Sequence, residues 1–397
     1  MKNRIVWQYY LLSCLSNIGG MAIISAVYVN FLLHNGLNYF AVNLINAVFF
    51  LTLFICEIPT GAFADIFGRK TSFVLACAMS SISLFVYGSS HTIWGFILAE
   101  ILAAISRTFE NGAFQAWLVD SLKHHGDDGA QTKVFANVNI LTKVSGSLGA
   151  IAGAYLAVKN IALPWFVGGT MMIAVTILAQ LIMKEEYFVR KTFSWRQGFS
   201  SMREVAISSV HYGLHHHAVR FILIITCLQI FAVQPLNMYW QPFFGGRGVA
   251  EAHFGFLYTG ITISLALGAI LIRHLKTKDQ EKAYLLKSQA LTGLAVIGIA
   301  LIPGLWPALI FFFLHEVGRG CWKPLADGYL HQRIPSDERA TIASFCAIAP
   351  HIGGAIGLVI SGALAQWCGI GFSWIVSGIA LLLGAVLVAK NGNHSSG

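Results

Sequence analysis

Charge is scarce in this sequence, since Asp, Glu, Lys and Arg together make up only 11% of its 397 residues. A typical soluble domain carries about 25% charged residues, whereas 56% of this chain is hydrophobic. A water-soluble domain is therefore excluded as the fold class. Short segments of alternating polarity, which are typical of membrane β-barrels, are also lacking. The composition predicts an all-α membrane protein.

Motifs of common enzymes are lacking as well. The chain has no Gly-x-x-x-x-Gly-Lys phosphate loop, no His-Glu-x-x-His zinc motif and no Gly-x-Ser-x-Gly elbow. Its seven cysteines are scattered without Cys-x-x-Cys spacing, so neither a disulfide framework nor a zinc site is indicated. We therefore predict no enzymatic activity, no metal and no cofactor.

One stretch is rich in histidine and has two interpretations. It contains His211, His215, His216 and His217. A metal site is one interpretation, but a solvated amphipathic helix on the cytoplasmic side is the one we favour.

Long apolar runs dominate the sequence. A bilayer core of about 30 Å needs roughly 20 residues of helix, and twelve runs have suitable lengths. The first run is too long for the core of a signal peptide and is expected to remain as a helix. The predicted spans lie near residues 7–31, 40–62, 71–88, 92–118, 133–157, 162–183, 220–244, 251–272, 283–303, 306–330, 340–364 and 369–389.

Lysine and arginine fall almost entirely on one side of this topology. With a cytoplasmic N-terminus, 20 of the 26 basic residues lie inside, only Lys159 and Arg247 lie outside, and four lie within spans. The positive-inside rule then places both termini in the cytoplasm of a multi-pass inner-membrane protein. The net charge of +9 is explained by this topology and by anionic lipid headgroups, so no nucleic-acid partner is expected.

A polar stretch divides the chain into two halves. We predict an N-terminal six-helix bundle at 1–184, a central cytoplasmic loop at 185–219 and a C-terminal six-helix bundle at 220–390. The polar tail, 391–397, is expected to include residues introduced by cloning. An internal parallel duplication is indicated by a constant offset of 207–208 residues, which aligns Gly61-Ala62 with Gly268-Ala269 and Gly146 with Gly354.

One motif is more specific than the others. Residues 61–70 read Gly-Ala-Phe-Ala-Asp-Ile-Phe-Gly-Arg-Lys. They resemble the loop between helices 2 and 3 of the major facilitator superfamily, although Ile66 stands where a basic residue is usual. The resemblance implies two parallel six-helix repeats, alternating access and function as a monomer. It also implies a conformational latch on the cytoplasmic side, formed by Gly61, Asp65, Gly68, Arg69 and Lys70.

Each latch residue has a physical role that can be predicted. Gly61 is expected to permit close approach of helices, and Gly68 to permit a tight turn. Asp65 offers a carboxylate that can meet a helix N-terminus or a basic side chain.

Glycine spacing gives a weaker resemblance to one branch of the superfamily. Gly146, Gly149 and Gly153 are similar to the glycine-rich motif of drug/proton antiporters, without its Gly-Pro pair. Antiport driven by a proton gradient is therefore expected, and close helix packing is the alternative explanation.

Charged residues inside spans need internal partners or water, since each costs roughly 2.5–3.5 kcal/mol at the bilayer centre. The fourth predicted span carries Glu100, Arg107 and Glu110, of which Arg107 and Glu110 lie within pairing reach. The tenth predicted span carries a polar stripe that consists of Glu316, Arg319, Lys323 and Asp327. In the facilitator arrangement the fourth and tenth spans line the central cavity.

Candidate residues for transport follow from these charges, although static ion pairs are an alternative explanation for them. Pro235 is expected to kink its helix and free backbone carbonyls. The titratable candidates for proton coupling are Glu110, Glu316, Asp327 and His351. The candidates for the substrate cavity are Asn17, Arg107, Lys143, Gln229, Gln234, Asn237, Arg319 and Lys323.

The favoured function is proton-coupled export of drugs or small amphipathic metabolites by a secondary active transporter. The alternative is a carrier of a carboxylate-bearing solute such as an organic acid or a siderophore, which the four intramembrane cations favour. A membrane enzyme or non-transporting receptor is the third class, and no motif supports it. The expected partners are a small-molecule substrate and membrane lipids.

Overall fold

The computed structural model describes residues 2–126, 131–188, 217–275, 280–333, 346 and 350–391. Within these ranges the chain is helical and contains no strand. Much of the predicted central loop, including His211, His215 and His216, lies outside the described residues, as does the tail after 391. The helices are α1 (Lys2–Asn17), α2 (Tyr28–His34), α3 (Tyr39–Phe67), α4 (Arg69–Ser89), α5 (Ile93–Glu110), α6 (Ala113–His124), α7 (Gln131–Lys159), α8 (Leu163–Ile182), α9 (His217–Gly245), α10 (Phe254–His274), α11 (Glu281–Leu301), α12 (Leu305–Arg333), α13 (Pro350–Cys368) and α14 (Ile370–Asn391).

Several of these helices can cross a membrane. Among the described residues, eight are long and apolar enough, and a ninth span results if α1 and α2 count as one bent span. Helices α5 and α12 are not among these eight, and they carry the charged residues of the fourth and tenth predicted spans. A multi-pass membrane protein follows, while the total of twelve spans stays a prediction.

Two predicted spans are broken rather than continuous. The run at 7–31 passes from α1 through a π-helical turn (Ile18–Ala22) and the short segment Ile23–Ser25, and then bends by 49° before α2. The run at 92–118 is interrupted at Gly112, whose φ of +73° is accessible because glycine has no Cβ. A hydropathy pattern does not detect the first break, because the residues on both sides of it are apolar.

The chain forms two compact units. The first comprises Met1–Leu37, Val48–Ser200 and Ala250–Thr259. In it α4 packs along α5 and α8, and α1 packs on α7. A Cβ on Gly153 of α7 would overlap the carbonyl of Ile23, and one on Gly149 would lie 3.0 Å from Cβ of Ala22. Close packing therefore accounts for the glycine spacing of α7.

The second unit comprises Asn38–Ala47, Ser201–Val249 and Gly260–Gly397. In it α11 packs on α12 and α14, and α9 packs on α13 and α14. Pro235 in α9 has no N–H for the carbonyl of Phe231. A Cβ on Gly357 of α13 would lie 2.7 Å from that carbonyl oxygen, so the absence of a side chain at Gly357 lets α13 approach the proline site.

Candidate functional site

A buried polar cluster joins α9 and α12 in the second unit. Glu316 is only 2% exposed. Arg319 Nη1 donates to both carboxylate oxygens of Glu316, at 2.9 and 3.0 Å, and to Asn237 Oδ1 at 3.1 Å. Asn237 Nδ2 in turn donates to Gln234 Oε1 at 3.4 Å. Four predicted candidates are thus brought together, and we call them, with His315, the His315 cluster.

His315 is the member of this cluster that was not predicted. It is fully buried, and its Nδ1 lies against the carbonyl oxygen of Phe312, which can only accept, so Nδ1 carries a hydrogen. Nε2 is then an acceptor in the neutral ring, yet it lies 3.5 Å from Glu316 Oε1, another acceptor. These two acceptors share no hydrogen unless an additional proton lies between them. A hydrogen bond between Nε2 and Oε1 would require one additional proton on the pair.

The sequence contained a weak signal for His315. It stands directly before Glu316, but adjacent residues on a helix normally do not face each other. Contact arises here because the ring reaches back along the helix to the carbonyl of Phe312 and brings Nε2 towards the carboxylate.

The remaining charges of the predicted stripe form a separate, exposed pair. Lys323 Nζ lies 3.0 Å from Asp327 Oδ2, and their side chains are 78% and 52% exposed. The predicted stripe is thus divided into a buried half and an exposed half. Of the other candidates in this unit, Gln229 is buried with no hydrogen-bond partner for its Oε1 among the described residues, and His351 is half-buried on α13.

In the first unit the charges of α5 have different partners. Arg107 Nη1 lies 2.8 Å from Glu110 Oε2, one turn away as predicted. Glu110 is the last residue of α5, beside the break at Gly112. Glu100 is not turned towards Arg107 but is hydrogen-bonded to Tyr28 and Tyr87. Sequence spacing cannot reveal these partners, because they belong to other helices.

Two further candidates of the first unit lie on or against α7. Asn17 Nδ2 donates to the carbonyl of Thr142 at 2.8 Å, so its amide holds α1 against α7. Lys143 is exposed and has no ion pair within the described ranges.

The latch segment closes the turn between α3 and α4. Gly68 has a φ of +98°, which confirms the predicted tight turn. Asp65 Oδ1 lies 2.6 Å from Arg69 Nη2, so the predicted carboxylate meets a basic side chain. Lys70 Nζ donates to the carbonyl of Gln180 at 2.7 Å. A Cβ on Gly61 would meet no described atom within 4 Å, so close helix approach at Gly61 stays a prediction.

The N-terminus of α4 is closed by a residue that was not predicted. The Glu185 carboxylate accepts hydrogen bonds from the backbone N–H groups of Arg69 (N to Oε1, 2.7 Å) and Lys70 (N to Oε2, 3.2 Å). Its Oε2 would lie 2.5 Å from a Cβ on Gly68, so a side chain at position 68 would displace this carboxylate. Burial raises the pKa of the Glu185 carboxyl above its ordinary value, and the two amide hydrogen bonds oppose that shift.

Comparison with known proteins gives a consistent picture. The family model for the Major Facilitator Superfamily matches residues 10–277. An uncharacterized MFS-type transporter of Bacillus subtilis, YxaM, is 24% identical over 388 residues, which is 96% of this chain and 94% of YxaM. Multidrug resistance protein 2 of the same organism is 24% identical over 147 residues, 36% of this chain and 35% of that protein. The crystal structure of the nucleoside transporter NupG superposes with a TM-score of 0.76 at 13% identity, covering 98% of this chain and all of NupG.

Proposed function

The chain belongs to the Major Facilitator Superfamily, and we propose that it is a proton-coupled secondary transporter that exports small amphipathic compounds by alternating access. It is a transport protein rather than an enzyme, and a small-molecule substrate follows from the family. The observation that carries the proposal is the His315–Glu316 contact, in which two acceptors lie 3.5 Å apart inside the second unit.

Proton uptake changes the net charge of the His315 cluster. The Glu316 carboxylate and the Arg319 guanidinium balance each other when His315 is neutral. An added proton leaves a net positive charge in a buried place, which is costly unless the surroundings change. A transporter can use this cost, since a conformer that admits water to the cluster accepts the proton and a conformer that excludes water releases it.

Carboxylate transport is less well supported by the charges within spans. Three of the four cations, Arg107, Arg319 and Lys323, are paired with a carboxylate on their own helix. A paired cation is a poor ligand for a second carboxylate, because binding would first break the existing pair. Lys143 is the exception in the described ranges. The similarity to a stretch of Multidrug resistance protein 2 also favours export of amphipathic compounds.

The decisive measurement is flux into or out of liposomes that contain the purified protein. Ethidium, a fluorescent lipophilic cation, serves as the probe, and a pH gradient is imposed across the liposome membrane. We expect ethidium flux that depends on the gradient and is abolished by a proton uncoupler. Glu316→Gln should lose the gradient-driven part of the flux. Acetate and citrate should not compete with ethidium.

A matched control separates coupling from general damage. Glu281 is also a buried acid of the second unit, 4% exposed, and its carboxylate lies 3.8 Å from Arg333. Glu281→Gln should keep gradient-driven flux. Wild-type flux that is insensitive to the uncoupler, or an unchanged gradient dependence in Glu316→Gln, contradicts proton coupling at the cluster.

The distribution of basic residues supports the membrane and the orientation that we propose. We infer an inner-membrane monomer with both termini in the cytoplasm. A C-terminal fusion to green fluorescent protein should fluoresce, whereas a fusion to alkaline phosphatase should be inactive. The reverse result contradicts the topology.

A further inference from the structure

A second buried carboxylate lies in the first unit. Glu100 on α5 is 6% exposed. Tyr28 Oη donates to Glu100 Oε1 at 2.5 Å. Tyr87 Oη lies 3.2 Å from the same carboxylate oxygen and 2.9 Å from Tyr28 Oη. The three oxygens form a triangle, each side of which is within hydrogen-bond reach.

Counting hydrogens shows what this triangle lacks. The two phenols supply two hydrogens for three sides, so one side joins two oxygens with no hydrogen between them when Glu100 is ionised. A proton on Glu100 Oε1 supplies the third hydrogen. Glu100 then donates to Tyr87, Tyr87 to Tyr28, and Tyr28 to Glu100, so each oxygen donates once and accepts once.

Among the described residues, no cation adjoins Glu100 that could balance its ionised form. The ring centroid of Tyr87 lies 5.3 Å from that of Phe96 and 6.1 Å from that of Trp165, so the walls are aromatic. In the part of the chain that the structure describes, the titratable groups facing the carboxyl are the phenols of Tyr28 and Tyr87, from α2 and α4. A buried carboxylate without a cation is costly, and a bound proton removes that cost.

The triangle adjoins the break in the first membrane span. Tyr28 is the first residue of α2, directly after the 49° bend. Val27, which precedes it, has φ −132° and ψ 2°, outside the helical region. The donor of the shortest hydrogen bond in the triangle is therefore Tyr28, the residue at which the helix resumes after the bend.

We propose that Glu100 is a proton-binding site, separate from the His315 cluster, and that its proton controls the hydrogen bond of Tyr28 at the helix break. Tyr28 donates to a neutral acid when the proton is bound. When the proton leaves, Tyr28 donates to a carboxylate, and such charge-assisted bonds are roughly twice as strong. Deprotonation thus tightens the hold of α5 on α2. The proposal holds whether or not the His315 cluster couples transport.

Infrared spectroscopy tests proton binding directly, with the proton as the probe. Difference spectra between acidic and alkaline pH are recorded on the protein reconstituted in liposomes. The wild type should show a C=O stretching band of a protonated carboxyl that Glu100→Gln lacks. Tyr87→Phe should keep this band at a shifted frequency, because the acceptor of the Glu100 proton is lost. The exposed acid Glu186 provides the control, and Glu186→Gln should retain the wild-type band. Identical spectra for wild type and Glu100→Gln overturn the proposal.

Distance measurement tests the effect on the break. Spin labels at the exposed positions Leu11 and His34 lie on either side of the bend, in a protein whose seven cysteines have been replaced. We expect the distance between the labels to change with pH in the wild type. Glu100→Gln should show the acidic distance at every pH, since glutamine is uncharged like the protonated acid. A pH-independent distance in the wild type, or a wild-type response in Glu100→Gln, overturns control of the break.

Discussion

Glu100 and Glu316 are buried to nearly the same extent, 6% and 2% exposed, yet their partners differ in kind. Glu316 accepts hydrogen bonds from the Arg319 guanidinium, which also binds the amide of Asn237, and contacts the His315 imidazole at 3.5 Å. Glu100 is held by two phenols. An added proton therefore creates a buried positive charge at the first site and removes a buried negative charge at the second. Burial alone does not define the electrostatics of an acid, because its partners determine which protonation state is neutral.

The comparison predicts the largest effect at Glu316. Glu316→Leu leaves the Arg319 guanidinium without its carboxylate, and removing one partner of a buried pair costs about 3–5 kcal/mol. We expect the lower end of this range, because the Arg319 side chain is 21% exposed. The free energy of unfolding can be measured by titration with sodium dodecyl sulfate in mixed micelles.

A double variant provides the control for this effect. Glu316→Leu combined with Arg319→Met removes both charges and should recover most of the lost stability. If the double variant were as unstable as Glu316→Leu alone, shape rather than charge would dominate at this cluster, and the comparison with Glu100 would lose its basis.

A smaller effect is expected at the phenols. Tyr87→Phe deletes a buried hydroxyl that contacts both Tyr28 and Glu100, and the unmatched polar groups should cost about 1–2 kcal/mol. Tyr239→Phe is the reference, because Tyr239 Oη makes a long bond of 3.4 Å to the carbonyl of Ser361, which is also approached by Ser373 Oγ. Thermal unfolding in detergent should give the smaller shift for Tyr239→Phe. Equal shifts would remove the special role of the triangle.

The smallest change in stability is expected at Glu185, whose partners are backbone amides rather than the cation of Glu316 or the phenols of Glu100. Glu185→Ala removes the acceptor for the N–H groups of Arg69 and Lys70, which should cost about 1 kcal/mol, as for other helix caps. Glu186→Ala, at the adjacent exposed position, should change the free energy of unfolding by less than about 0.5 kcal/mol.

The pH dependence of Glu185 has a defined sign. Its pKa in the folded protein lies above the ordinary value of 4.5 because of burial. The folded state therefore binds this proton more tightly than the unfolded state. The stability from this proton is fully present below 4.5 and is lost as the pH rises through the folded-state pKa. Glu185→Gln should remove that part of the pH dependence, and an unchanged pH profile would contradict the shift.

Local features of the fold and the site were predictable from the sequence. The helical class follows from apolar runs, and the Arg107–Glu110 pair follows from a spacing of three residues. Gly68 was predicted as a turn because the adjoining motif identified its position. These features depend on neighbours within one or two helical turns, where the chain geometry is fixed by the helix itself.

Contacts between distant segments were not predictable. Tyr28 and Glu100 are 72 residues apart, and Arg69 and Glu185 are 116 apart. Such pairs depend on how helices pack, and no spacing rule encodes that packing in a single sequence. Asn17 illustrates the same limit, since the bond of its amide to the carbonyl of Thr142 could not be read from the sequence, while its place in the substrate cavity stays a prediction. Breaks in apolar runs, as between α1 and α2, also escape a hydropathy pattern.

The capping of α4 by Glu185 determines where the chain can be divided into two polypeptides. The predicted boundary between residues 184 and 185 would separate the carboxylate from the two amides that it caps. It would also separate Tyr187 from Trp117, whose carbonyl oxygen lies 3.3 Å from the Tyr187 hydroxyl. A split version expressed as two polypeptides should therefore end its first fragment after Phe188, so that this fragment keeps the residues that complete its own helix ends.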